Sequence, residues 1–168
     1  MTGERRPPTP SQTVGPFFGF ALPFPGDREA VEPSHPDAIR VEGQLLDAEG
    51  APVADGLLEV WQGNQFARCR TDPEGAFHFV VRKPAAESRP DGRQGAPHLN
   101  VTVFARGLLR HLATRLYFPD EGAANATDPV LARVDAERRQ TLIARDERGM
   151  LSFDVHLGGA GETVFFEL

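Results

Sequence analysis

Apolar and polar positions alternate with a period of two along most of this chain. Ile39, Val41 and Leu45 alternate with Arg40, Glu42 and Gln44, the pattern of a strand with one buried face. Leu57–Gln62 predicts the next strand. Phe77, Phe79 and Val81 around His78 and Val80 predict a third, and His98–Ala105 a fourth, with Leu99, Val101 and Val103 on one face. A further apolar segment covers 108–118; Leu151, Phe153, Val155 and Leu157 alternate again, and Thr163–Phe166 closes the chain. Between these runs lie turn signals at Asp47–Pro52 and Thr71–Gly75 and a Pro/Gly/charged loop at 84–97, where Asp, Pro and Gly supply the dihedrals a turn needs. One stretch predicts a short helix: Asp128 as N-cap, Pro129 at the first helical position, then Val130, Leu131 and Val134 at helical spacing. Short strands at regular spacing divided by turns predict an all-β fold, a β-sandwich with one short helix.

The first 38 residues break this pattern. They hold eight of the 15 prolines, which fix φ and remove a backbone donor, so the stretch is neither a regular helix nor a central strand. Phe17, Phe18, Phe20, Leu22 and Phe24 make it apolar, unlike a disordered tail. Residues 1–38 therefore read as an ordered, extended arm packing on its own domain or on a partner, and 39–168 as the sandwich domain.

Composition narrows the function. Gly and Pro make up about 19% of the 168 residues against a usual value of about 12%, which fits many turns. The net charge is −6, so no basic footprint for nucleic acid dominates. No apolar run approaches the roughly 20 residues of a membrane-crossing helix. MTGERRPPTP lacks the apolar core of a secretory signal, and the expected compartment is the cytoplasm. A single cysteine excludes a disulfide framework. Of 18 cations only Lys83 is lysine and 17 are arginine. That bias is either compositional drift or a use of arginine's planar fork in interface ion pairs and carboxylate recognition.

The catalytic candidates are few. None of the four serines sits in G-x-S-x-G. Cys69 lies between Arg68 and Arg70, which would lower its pKa if they faced it; a lone cysteine on a strand otherwise reads as packing. The five histidines form no metal-binding pair. His98 and Asn100, two apart on a strand, share a face, but a neutral amide is a poor substitute for imidazole on a transition metal.

Seven motifs then occur in order: Thr9-Pro-Ser-Gln-Thr-Val-Gly-Pro-Phe17, Leu58-Glu-Val-Trp-Gln62, Arg70-Thr-Asp-Pro-Glu-Gly75, Ala96-Pro-His-Leu-Asn100, Phe104-Ala-Arg-Gly107, Thr114-Arg-Leu-Tyr-Phe118 and Gly161-Glu-Thr-Val-Phe-Phe166. Together they resemble the alpha chains of the intradiol ring-cleavage dioxygenases. The resemblance implies a β-sandwich and a homologous beta subunit carrying Fe(III) on two tyrosines and two histidines. It also implies an αβ hetero-oligomer that opens protocatechuate with O2 to 3-carboxy-cis,cis-muconate in the β-ketoadipate pathway.

The same resemblance places the metal-ligand positions at Phe66, His98 and Asn100 and in the loop 84–97, which has no tyrosine. At most one of four ligands survives, so no iron and no catalytic residue are expected on this chain, and the isolated chain is expected to be inactive. Thr13, Gly15 and Pro16 match a segment that lines the beta chain's substrate pocket, with Phe17 standing where the family often has Tyr. Arg106 matches an arginine near the pocket entrance, contacting either the substrate carboxylate or the subunit interface. The chain is shorter than such alpha chains after Phe20 and between Gln62 and Arg70. Two competing readings are a stand-alone transthyretin-like binding module without catalysis and a metalloenzyme using His78, His98, His111 and His156.

Overall fold

A computed structural model describes residues 9–15, 17–88, 92 and 94–167. In chain order its elements are α1 (Phe18–Ala21), β1 (Ala38–Leu46), β2 (Leu57–Gln62), β3 (Gln65–Arg70), β4 (Ala76–Arg82), β5 (Glu87–Ser88), β6 (Gln94–Gly95), β7 (His98–Phe104), β8 (Leu112–Tyr117), α2 (Gly122–Thr127), β9 (Arg145–Glu147), β10 (Met150–Ser152) and β11 (Val155–His156). Two sheets face each other. In the first, β1 pairs antiparallel with β4 and parallel with β10 and β11, and β9 joins β10. The second is antiparallel throughout, in the order β3-β2-β7-β8.

The period-2 positions fill the space between the sheets. Val41, Leu45, Phe79 and Val81 from the first sheet meet Leu58, Val60, Cys69, Val101, Val103 and Leu116 from the second, all buried in one cluster. Burying a Val, Leu or Phe side chain contributes about 1.5–3 kcal/mol, which makes this alternation the main determinant of the architecture. Two glycines are required by geometry. Gly75 closes the turn before β4 at φ 72°, in the left-handed region. At Gly43 a Cβ would overlap the carbonyl of Phe153, whose N–H bonds Glu42 O alongside. Between Gln62 and Arg70 the chain makes a tight hairpin, in which only Gly63 and Asn64 join β2 to β3.

The helix lies upstream of its predicted place. α2 occupies Gly122–Thr127, preceded by a 3-10 turn at Pro119–Glu121. Its residues, GAANAT, are nearly all small and give no amphipathic signal. Asp128 does cap the following turn, its carboxylate accepting the N–H groups of Val130 and Leu131. That turn is a single 3-10 turn, Leu131–Arg133, because Val134 is already extended. Leu131 and Val134 pack instead into a second apolar cluster with Ala96, Tyr117 and Leu142.

The proline-rich arm divides into two parts. Residues 22–30 bond to both sheets at once: on β3, Arg68 donates its N–H to Asp27 O and its guanidinium to Leu22 O, while on β4 Val80 N–H donates to Arg28 O and Val80 O accepts Ala30 N–H. The segment so covers two edge strands whose free backbone groups would otherwise invite pairing with another chain. Within and before this segment Phe17, Phe20 and Phe24 are exposed, with the Arg70 guanidinium over the Phe20 ring. Among the described residues, no helix is long and apolar enough to cross a membrane.

Candidate functional site

The three positions Phe66, His98 and Asn100 lie on the outer face of the second sheet. Cross-strand register puts Phe66 opposite Trp61, Trp61 opposite Asn100, and Asn100 opposite Arg115, so one row runs across four strands. His98 sits two residues along β7, opposite Tyr117, with ring centroids 5.4 Å apart. The pleat places these side chains on one face because His98 and Asn100 are two residues apart and directly opposed residues of neighbouring strands share a face.

This row does not fit a ferric ion. His98 is buried; its Nδ1–H donates to Ala96 O at 2.8 Å and its Nε2 has no hydrogen-bond partner, lying 3.8 Å from Glu87 Oε2. Burial first, and the nearby Arg115 cation, push its pKa down despite the Ala96 bond and the acids Glu87 and Asp128, so the ring is neutral at pH 7. The Asn100 amide is engaged, donating to Gln62 Oε1 at 2.7 Å, and Phe66 offers only a ring edge and face. One imidazole, one amide and one benzyl group are not a hard-cation ligand set. Among the described residues no three His, Cys, Asp or Glu side chains gather in a way that could hold a metal.

Tyr117, the one tyrosine, lies beside His98 but points elsewhere. Its hydroxyl donates to Asp128 Oδ1 at 3.1 Å, and burial pushes its pKa up to about 12. Asp128 is the node of this region. Fully buried, it accepts hydrogen bonds from Tyr117 and from the N–H groups of Ala96, Val130 and Leu131. Burial raises its pKa, but these four donors outweigh that and hold the carboxyl below its ordinary value. Sequence reading found Asp128 as a cap and missed this node, because its partners come from three separate segments.

Thr13 and Arg106 meet at one corner of the molecule. Thr13 Oγ1 accepts the N–H of Gly107 at 2.9 Å, tying the arm to the turn after β7. Arg106, next in the chain, is 68% exposed and ion-paired with Asp55. Gly15 is exposed, and a Cβ there would meet nothing within 4 Å. Phe17 is 76% exposed. Pro16 lies outside the described residues. Cys69 points into the core, away from Arg68 and Arg70, and burial pushes its thiol pKa up; the activation by flanking arginines does not occur.

Over the Trp61–Asn100–Arg115 row opens a cleft of about 990 Å³, walled by the turns 130–138 and by Val164 and Phe166. The sequence held no single signal for it, since its lining comes from six separate segments.

The sheet order and site define a class. The solved dioxygenase domain of a Streptomyces dioxygenase–carbohydrate-binding fusion matches 95% of this chain and 96% of that one at a TM-score of 0.61 and 22% identity. Catechol 1,2-dioxygenase from Acinetobacter matches 83% of this chain and 60% of that one at 0.60 and 16%. The fold is thus the β-sandwich of the intradiol dioxygenases. The chain is 39% identical to the protocatechuate 3,4-dioxygenase alpha chain of Pseudomonas putida over 200 aligned positions, covering 99% of this chain and all of that one. It is 37% identical to the alpha chain of Burkholderia cepacia, covering 95% and 97%. The beta chain from Burkholderia cepacia is similar at 29% identity over 70% of this chain and 60% of that one. The chain belongs to the protocatechuate 3,4-dioxygenase alpha-chain family. The first alignment is longer than the chain, so that relative carries segments this chain lacks. No protein-family profile matches the chain.

Proposed function

We propose that this chain is the alpha subunit of a heteromeric protocatechuate 3,4-dioxygenase, working with a homologous beta subunit. Intradiol dioxygenases are iron enzymes, and in this reading the Fe(III) belongs to the beta subunit alone. The observation that carries the assignment is the ligand-poor row at Phe66, His98 and Asn100 in a chain so similar to alpha chains along its length. It also argues against a metalloenzyme built on the remaining histidines. The exposed aromatic arm argues against a free-standing binding module, which has no use for it.

Residues 1–38 serve as the arm and 39–168 as the sandwich that holds it. Thr13, Gly15, Pro16 and Phe17 form a wall of the partner's substrate pocket. The Thr13–Gly107 bond supports that role, because it fixes the arm while leaving Gly15 and Phe17 uncovered. Gly15 gives close backbone approach, and Phe17 offers an apolar ring face without a hydroxyl. Arg106 supplies a cation for the substrate carboxylate. Its bond to Asp55 is exposed and contributes at most about 1 kcal/mol, so the guanidinium can exchange that partner for a substrate carboxylate.

The test is expression of the chain alone and with the homologous beta chain. Iron content, the visible absorption of phenolate bound to Fe(III), and protocatechuate-dependent O2 uptake are measured. The chain alone is expected to be colourless and inactive, and the heteromer coloured and active. Stoichiometric iron on the isolated chain overturns the assignment.

A further inference from the structure

The cleft over the second sheet is lined by groups that the proposed role leaves unused. Three arginines face it: Arg115 from β8, and Arg133 and Arg138 from the adjoining turns. Arg138 is committed to Glu162, bonding its carbonyl at 3.0 Å. Arg115 reaches only the Tyr117 hydroxyl, at 3.4 Å. Among the described residues, neither Arg115 nor Arg133 has a carboxylate within ion-pair distance. A guanidinium in a concave site with no carboxylate in ion-pair contact is a receptor for a carboxylate.

The rest of the lining sets the shape and charge of the ligand. Trp61, the single tryptophan, is 48% exposed at one end, and Val130, Val134 and Phe166 add apolar wall. An aromatic face beside arginines suits a flat, apolar body ending in an anion. Glu87 and Asp135 also line the cleft. They disfavour a polyanion and would accept a hydrogen bond from a donor at the far end of the ligand.

We infer that this cleft binds a small planar monocarboxylate, its anionic end held by Arg115 and Arg133 and its ring against Trp61. The site lies wholly on this chain and needs no metal, so it stands or falls independently of the proposed subunit role.

Trp61 makes the test direct. Benzoate is titrated into the full-length chain at low salt while Trp61 fluorescence is followed, with phenol as the uncharged control. Saturable quenching by benzoate but not by phenol is expected, weakened at least about tenfold in both Arg115→Gln and Arg133→Gln, the loss of one charge-assisted hydrogen bond. The same variants are compared by calorimetric titration of the assembled heteromer, where one benzoate site per αβ unit is expected to disappear. No saturable quenching in a folded chain, equal response to phenol, or variants that bind as the wild type all overturn the inference. So does a heteromer in which Trp61 is sealed and the arginine changes leave the number of sites unchanged, since the partner subunit then fills the cleft.

Discussion

Replacing Asp128 tests whether a buried carboxylate holds the wall of the cleft to the sheet. Its side chain accepts N–H groups from Ala96 at 2.9 Å, Val130 at 2.8 Å and Leu131 at 2.9 Å, and the Tyr117 hydroxyl at 3.1 Å. These donors belong to the link between β6 and β7, to β8 and to the turn after α2. Asp128→Asn preserves volume but removes the charge and sets an amide donor against one of the N–H groups, Ala96 if the present Oδ2 becomes nitrogen. A hydrogen bond to a charged group contributes about 1.5–3 kcal/mol, and an orphaned buried donor costs about 1–3 kcal/mol. The expected loss is therefore about 2–4 kcal/mol for Asp128→Asn. For Asp128→Ala it is about 4–6 kcal/mol, since all four donors lose their partner and entering water recovers only part. At about 2–4 °C per kcal/mol for a chain of this size, Asp128→Asn should lower Tm by roughly 5–15 °C.

The same group sets an acid limb. Its folded pKa is lowered, so its stabilisation is complete above the unfolded value near 3.9 and is lost as pH falls through the folded value. Urea unfolding followed by far-UV circular dichroism and by Trp61 emission, at pH 7 and below pH 4, measures both effects. An Asp128→Asn variant within about 0.5 kcal/mol of wild type at pH 7, inside the usual range of a surface substitution, would refute the account. So would an acid slope that the variant leaves unchanged.

Four further outcomes follow from the same geometry. Tyr117, pushed up to about 12 by burial, should show no phenolate absorbance at 295 nm until near that pH. Because the unfolded phenol ionises near 10, stability should fall as pH rises from 10 to 12, and Tyr117→Phe should remove that fall. His98 and His78 both have lowered pKa values; stability should therefore decline as pH falls below about 6.5, by at most about 1.4 kcal/mol per pH unit per histidine, and His98→Gln should shallow the slope. Cys69 should resist alkylation in the folded chain and react stoichiometrically in denaturant; equal rates would contradict its burial. In the heteromer, Arg106→Ala should raise KM for protocatechuate more than it lowers kcat, and a large kcat loss at unchanged KM would argue against a binding role.

Much of the fold was legible in the sequence, because the strand signal is local. Alternation at Ile39–Leu45, Phe77–Val81 and Leu99–Val103 reports a half-buried pleat without reference to any partner strand. Gly75 was legible as a turn residue for the same reason. The absence of a second tyrosine is also a property of the chain alone, and with Phe66 and Asn100 it determined that a tyrosinate iron site was not to be expected. The helix was displaced because α2 is built of small residues with no apolar stripe, so its position follows from what packs around it.

Tertiary structure decided what depends on register between distant segments. Only the pairing of β3, β2, β7 and β8 lines Phe66, Trp61, Asn100 and Arg115 into one row. Only the closure of the two sheets shows that one arm serves two ends, residues 22–30 covering strand edges while Thr13 reaches Gly107 across 94 residues of chain. The free arginines of the cleft and the four donors on Asp128 are likewise meetings of segments far apart in sequence. Local alternation is set by burial of each strand against whatever lies beneath it; a site is set by which side chains end up opposite one another, and that is settled only when the strands pair.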